Sequence, residues 1–205
     1  LHYIPHLNRT VDYNLLSEEV SSGFCIIEDK NDHVWYGGPS GLFLIDKKKA
    51  NARPEKISPL RIFNLVQFND SILWAGTRKG SMFQINTRTL KVTSLPILPH
   101  TDLYVTYIYP DSHQRIWIGT DNNGLYVSDR NGSIIASYSK EQLGSNAIKG
   151  IIEDEMNNIW VGTGSGLCCI NPQMENIDRY TTADGLPINQ FNYSSACKKP
   201  DGELY

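Results

Sequence analysis

A tryptophan recurs along this chain at nearly fixed intervals, at Trp35, Trp74, Trp117 and Trp160, spaced 39, 43 and 43 residues apart, and no other tryptophan is present. Each stands in the same short phrase: His33-Val34-Trp35-Tyr36-Gly37-Gly38, Ile72-Leu73-Trp74-Ala75-Gly76-Thr77, Arg115-Ile116-Trp117-Ile118-Gly119-Thr120 and Asn158-Ile159-Trp160-Val161-Gly162-Thr163. Ile26, Leu65, Ile108 and Ile151 stand nine residues before the tryptophan, and Asp29, Asp111 and Asp154 six before it; the second copy has Phe68 there instead. A further glycine follows at Gly41, Gly80, Gly124 and Gly166, then an apolar run ending in Asp46, Asn86, Asp129 or Asn171. A repeat of this length describes a unit that buries its apolar face against its neighbours.

The fourth copy shows what one unit contains. Residues 147–154 form a β-rich run of strand length that ends in the turn sequence Glu155-Met156-Asn157-Asn158. Residues 159–163 make a second strand, broken by Gly164-Ser165-Gly166, and residues 167–170 a third, stopped by Asn171-Pro172. Residues 177–181 supply a fourth. Four short strands in about 40 to 45 residues are the mark of a β-propeller blade, and no stretch of useful length has the 3.6-residue period of a helical repeat.

The expected architecture is therefore all-β: an incomplete ring of about four full four-stranded antiparallel blades with part-blades at both ends. The spans are 1–20, the outer strand of a preceding blade centred on residues 10–14; 21–58, 59–98, 99–142 and 143–188, one blade each; and 189–205, the start of a further blade in which Tyr205 stands at the tryptophan position. A ring must close to remove its open edges, so this pattern reads as a segment of a longer protein.

Residues repeated in every unit serve the unit. The four tryptophans are assigned to packing between blades, with an indole N–H that needs a partner once buried. The glycine two residues later allows close backbone approach, and Asp29, Asp111 and Asp154 are assigned to turns. Composition excludes other classes. A net charge of −3 argues against nucleic-acid binding, and no apolar run reaches membrane-spanning length. Cys25, Cys168, Cys169 and Cys197 lack metal-ligand spacing, so they read as small hydrophobes, and neither a metal nor a cofactor is expected.

Asn157-Asn158-Ile159-Trp160-Val161-Gly162-Thr163 followed by Gly166-Leu167 resembles the two-component regulator propeller repeat, as does the connection Asp184-Gly185-Leu186-Pro187. The resemblance covers nearly the whole chain, with departures at Tyr36-Gly37-Gly38 and at Phe68. It implies the periplasmic sensor region of a Bacteroides-type hybrid two-component system, an inner-membrane protein with consecutive seven-bladed propellers, an immunoglobulin-like domain, a membrane span and a cytoplasmic histidine kinase. Such proteins commonly detect glycan breakdown products. The parent would act as a homodimer with an oligosaccharide ligand, and the kinase activity would lie outside this segment.

Strand faces in a propeller are consumed by packing, so variable function is expected on loops. The loops after each second strand carry Arg78 and Lys79, then Asp121, Asn122 and Asn123, and a connection on the same face carries Asn189, Gln190 and Phe191. These are the candidate ligand residues, with Arg78 or Lys79 able to meet a uronate or sulfate. Glu153 and Asp154 are strand neighbours that point apart, which disfavours a glycosidase pair, and no catalytic residue is assigned. His33 and His113 lie in equivalent hairpins on the opposite face. The alternatives are a propeller enzyme, such as a lyase or glycoside hydrolase, and a protein-interaction scaffold.

Overall fold

The structure, a computed structural model, describes residues 2–4, 9–11, 24–49, 52–77, 81–95, 103–193, 195–199 and 201–204. Two short strands come first, β1 (His2–Ile4) and β2 (Arg9–Val11), paired antiparallel. Of the strand expected over 10–14, only residues 10 and 11 are described; 12–14 lie outside the described residues.

Each repeat then forms one four-stranded antiparallel sheet whose strands pair in chain order. The first holds β3 (Cys25–Glu28), β4 (His33–Gly38), β5 (Gly41–Asp46) and β6 (Glu55–Ser58). The second holds β7 (Ile62–Asn69), β8 (Ile72–Thr77), β9 (Met82–Asn86) and β10 (Val92–Leu95). The third holds β11 (Val105–Pro110), β12 (Ile116–Thr120), β13 (Leu125–Ser128) and β14 (Ile134–Tyr138). After a single helical turn, α1 (Lys140–Leu143), the fourth holds β15 (Ile148–Glu153), β16 (Ile159–Thr163), β17 (Gly166–Ile170) and β18 (Ile177–Tyr180). The fold is an all-β propeller of four-stranded blades, and the described blades do not close a ring.

The α1 turn, like a 3-10 turn at Thr182–Asp184, is an element that the repeat pattern does not announce. The Ser139 N–H donates to Gln142 Oε1 at 3.0 Å, and Gly144, at φ +80°, ends the turn by donating to the Lys140 carbonyl at 2.7 Å. Its Leu143 is buried against the fourth sheet. Among the described residues no helix is long and apolar enough to cross a membrane.

The first strands of neighbouring sheets lie side by side, with β7 between β3 and β11, and β11 between β7 and β15. The apolar core consequently sits between sheets. Trp35, Leu42 and Leu44 pack on Ile62, Leu65 and Leu73 of the second sheet; Trp74 and Met82 pack on Val105, Ile108, Ile116 and Ile118 of the third; Trp117, Leu125 and Val127 pack on Ile148, Ile151, Ile159 and Val161 of the fourth. Ile26 occupies the position of Leu65, Ile108 and Ile151 yet is 56% exposed, since no described residue covers that face of the first sheet.

The repeated glycines fall into two kinds. A Cβ on Gly119 would stand 2.6 Å from Ile148 Cγ2, and one on Gly76 would stand 2.7 Å from Val105 Cγ1, so the tryptophan strand meets the next sheet where only hydrogen fits. Gly124 has φ +78°, and a Cβ there would lie 2.1 Å from the Tyr138 carbonyl oxygen, so the second glycine is needed for conformation and space together.

The repeated aspartate joins the turn to the tryptophan. Asp111 accepts the backbone N–H groups of His113 at 2.9 Å and Arg115 at 2.8 Å on one oxygen, and Trp117 Nε1 at 2.8 Å on the other. Asp29 holds Trp35 at 2.8 Å and Asp154 holds Trp160 at 2.9 Å in the same manner. The second sheet has Phe68 in that place, its ring 6.1 Å from that of Trp74, and the buried Trp74 Nε1 has no hydrogen-bond partner among the described residues. An unmet buried donor costs about 1–3 kcal/mol. Trp117→Phe should therefore lower stability by about 1–3 kcal/mol more than Trp74→Phe, because only the former breaks a hydrogen bond. Equal losses in urea denaturation would contradict this assignment.

These bonds also set the response to acid. Burial alone would raise the Asp154 carboxyl, but donation from the Asn158 and Trp160 side chains and from the Asn158 and Met156 amides outweighs it and holds the group below its usual value. For Asp29, burial is likewise outweighed by the Trp35 indole, the Asn31 and His33 amides and the His33 charge. A carboxyl depressed on folding contributes stability above its unfolded pKa, about 3.9, and that contribution is lost as pH falls through the lower folded value. The urea midpoint should fall as pH drops below about 5, and Asp154→Asn should make that fall shallower. An unchanged slope in the variant would count against the assignment.

Candidate functional site

The first strands of three sheets carry a β-bulge at one repeated place. Ile62 pairs with Thr77 and Asn64 with Gly76, leaving Phe63 as the extra residue; the same shift leaves Thr106 extra in the third sheet and Lys149 in the fourth. A bulge re-aims the side chains around it. Just before it stand Ile62, Val105 and Ile148, the residues packed on the glycine of the preceding sheet. The positions on either side of these packing residues do not repeat: Arg61, Tyr104 and Ala147 precede them, and Phe63, Thr106 and Lys149 follow.

Three of these non-repeating side chains, Phe63, Tyr104 and Thr106, line one cavity of about 370 Å³ together with Phe24, Val105, Asp121 and Tyr193. Phe24 and Phe63 stack with ring centres 4.8 Å apart and planes 8° from parallel, and Tyr104 meets Phe63 edge-on at 6.3 Å. The Arg61 guanidinium lies 5.7 Å from the Phe24 ring centre and 5.2 Å from that of Phe63. Opposite them, Lys149 Nζ sits 3.6 Å from the Tyr193 ring centre and 3.7 Å from Asp121 Oδ1, and the Tyr193 hydroxyl donates to that same oxygen. The Thr106 hydroxyl is spent on the Ile148 carbonyl at 2.9 Å. Phe24 is 46% and Tyr193 53% exposed. Large aromatic faces presented to solvent beside fixed charges suit a ligand with a flat apolar face and a polar rim.

Of the residues expected at the site, Asp121 alone lines this cavity. Arg78 and Lys79 lie outside the described residues. Asn122 is exposed at the loop tip, and the Asn123 N–H closes the turn on Thr120 Oγ1 at 2.9 Å. Asn189 staples its own loop by accepting the Thr182 N–H at 2.7 Å. Gln190 is exposed. Phe191 packs 3.3 Å from where a Cβ on Gly162 would stand, and it falls 29 residues after that glycine, as Val105 does after Gly76 and Ile148 after Gly119. Phe191 thus takes the sheet-packing position, and Gln190 the row of Arg61 and Tyr104. It also borders an apolar cavity of about 370 Å³ with Ile152, Trp160, Leu167 and Leu204, on the sheet face used elsewhere for packing.

Phe63 and Lys149 lie on first strands, and Phe24, Arg61 and Tyr104 immediately beside them, so loop composition did not indicate them; nor did it indicate Tyr193. Their sequence signal is the contrast between a constant packing residue and its changing neighbours.

The carboxylates that invite a catalytic reading are engaged in structure. Glu153 is buried and accepts both the Ser112 N–H, at 2.9 Å, and the Ser112 hydroxyl, at 2.6 Å, tying the third sheet to the fourth. Asp111 holds Arg115 and Trp117. His33 Nδ1 lies 3.1 Å from Asp29, and His113 is exposed beside Ser112.

Two regions of the chain, residues 100–122 and 142–165, match the model of the two component regulator propeller. The two matched regions fall in the third and fourth sheets, around the first two strands of each. A curated relative, Histidine kinase P4 of Formosa agariphila, is 24% identical over 98% of this chain, which spans about a fifth (19%) of that protein. Among solved structures, the extracellular domain of the hybrid two component system BT3049 from B. thetaiotaomicron superposes with TM-score 0.74 at 24% identity, over 93% of this chain and 26% of that one. The extracellular domain of BT4673 from the same organism, described as a one component system, gives 0.73 at 24% identity, over 89% and 28%.

Cys25 and Cys168 pack in the apolar core, whereas Cys197, expected to be a small buried hydrophobe like them, is exposed. Burial pushes the Cys25 thiol up to about 12, outweighing a backbone hydrogen bond at Gly37 that lowers it, and pushes the Cys168 thiol up to about 11. A thiol this reluctant to ionise is a poor nucleophile. In the folded protein at pH 8, Cys197, which is exposed, should react with a thiol reagent such as DTNB well before Cys25 or Cys168. Comparable rates at all three, followed by mass spectrometry, would contradict the burial described.

Proposed function

We propose that this chain belongs to the extracytoplasmic sensor region of a hybrid two-component system and binds a glycan-derived oligosaccharide in the cavity between the first strands. The bound state is passed across the membrane to a histidine kinase elsewhere in the same protein, which works as a homodimer. The segment is itself non-catalytic. The observation that carries this reading is the meeting of aromatic rings from separate repeats at one opening: Phe24, Phe63, Tyr104 and Tyr193. Sugar rings present flat C–H faces, which stack on aromatics, and hydroxyls, which the Asp121 carboxylate and the Lys149 ammonium can bond.

Isothermal titration of the 205-residue chain against a panel of neutral, uronate-containing and sulfated oligosaccharides tests the proposal. At least one should bind, and Phe63→Ala should weaken it about thirtyfold or more, the scale expected of a buried aromatic anchor. Binding unaffected by Phe63→Ala would move the site elsewhere, and no binding across the panel would sink the oligosaccharide reading.

A further inference from the structure

We propose that the oligosaccharide is acidic, and that Arg61 is the residue that takes its carboxylate or sulfate. This rests on the sensor reading above and names the chemical class of its ligand.

Among the described cations, Arg61 is the one laid over rings that line the cavity without an ion-pair partner. Lys30, Lys47, Lys48, Lys49, Arg115, Lys149 and Lys199 each lie within ion-pair distance of an aspartate or glutamate. Arg61 has no such partner among the described residues, and its guanidinium lies over the Phe24 and Phe63 rings, which line the cavity. A guanidinium laid over aromatic faces is held in place and partly stripped of water, while its N–H edge stays open to two parallel hydrogen bonds. That edge geometry matches the two oxygens of a carboxylate or sulfate.

The rest of the cavity agrees in sign. Asp121, which lines the cavity, is paired with Lys149 and accepts from the Tyr193 hydroxyl, so it is already compensated. Among the described residues, the uncompensated charge beside the rings is the positive charge of Arg61. A neutral sugar would leave that cation without a counter-charge; an acidic sugar would stack on the rings and answer it.

The test compares matched probes on the whole chain by titration calorimetry. Oligogalacturonate is set against its methyl ester, which keeps the ring and removes the charge, and a sulfated carrageenan oligosaccharide against its desulfated form, so that the carboxylate and sulfate sources separate. At least one charged member should bind, and more tightly than its neutral partner. Arg61→Gln should cost that ligand about ten- to hundredfold in affinity, and Arg61→Lys less, with thermal melting unchanged in both variants. Tighter binding of the neutral member, or an Arg61→Gln variant that binds the acid as well as the parent chain does, overturns the inference while leaving an oligosaccharide sensor standing. Failure of all four probes overturns the inference as well, and the wider panel then decides whether the sensor reading survives.

Discussion

Everything in this molecule depends on one contact, a tryptophan of one sheet laid against the first strands of the next, beside a glycine that keeps the two backbones close. Large apolar area is buried by Trp35, Trp74 and Trp117, all with no exposed surface. Three of the four indoles are also tied to an aspartate that closes the hairpin below, so turn, strand and sheet interface are set by a single carboxylate. Because this arrangement is repeated, the chain has little freedom to vary the residues that make it. Trp74 shows the arrangement under relaxation: Phe68 fills the space of the aspartate, and packing continues without the hydrogen bond.

Function is left to whatever the contact does not consume. The bulge at Phe63, Thr106 and Lys149 provides that freedom, since it places an extra residue next to each packing position. One row of each first strand is therefore invariant in role while the rows beside it change from repeat to repeat. The aromatic and charged cluster is what those changing rows amount to when the sheets are brought side by side.

The scaffold was readable in the sequence because its signals are local and repeated: the tryptophan phrase, the paired glycines and the aspartate six residues earlier. The turn role expected of Asp29, Asp111 and Asp154 is what the hydrogen bonds show, though their second role, holding the indole, needed the fold. The site was much less readable. Reading loops as the place of variation pointed to Asp121, which lines the cavity, and passed over Phe63, which lines it too, because a bulge is a matter of strand register and leaves no mark on one strand alone. Phe191 looked like a loop aromatic, and only its register against Gly162 shows it to be the counterpart of Val105 and Ile148. The α1 turn was missed for a simpler reason: a four-residue helix has no periodicity to read.

The central claim is that packing and recognition occupy neighbouring but separate rows of the first strands. The most direct measurement of it is the urea stability of two adjacent alanine substitutions, Ile62→Ala and Arg61→Ala. The account predicts a loss of about 2–5 kcal/mol for Ile62, which is 1% exposed and packed on Gly37, and less than about 1 kcal/mol for the exposed Arg61. Comparable losses at both positions would show that the two rows are not distinct.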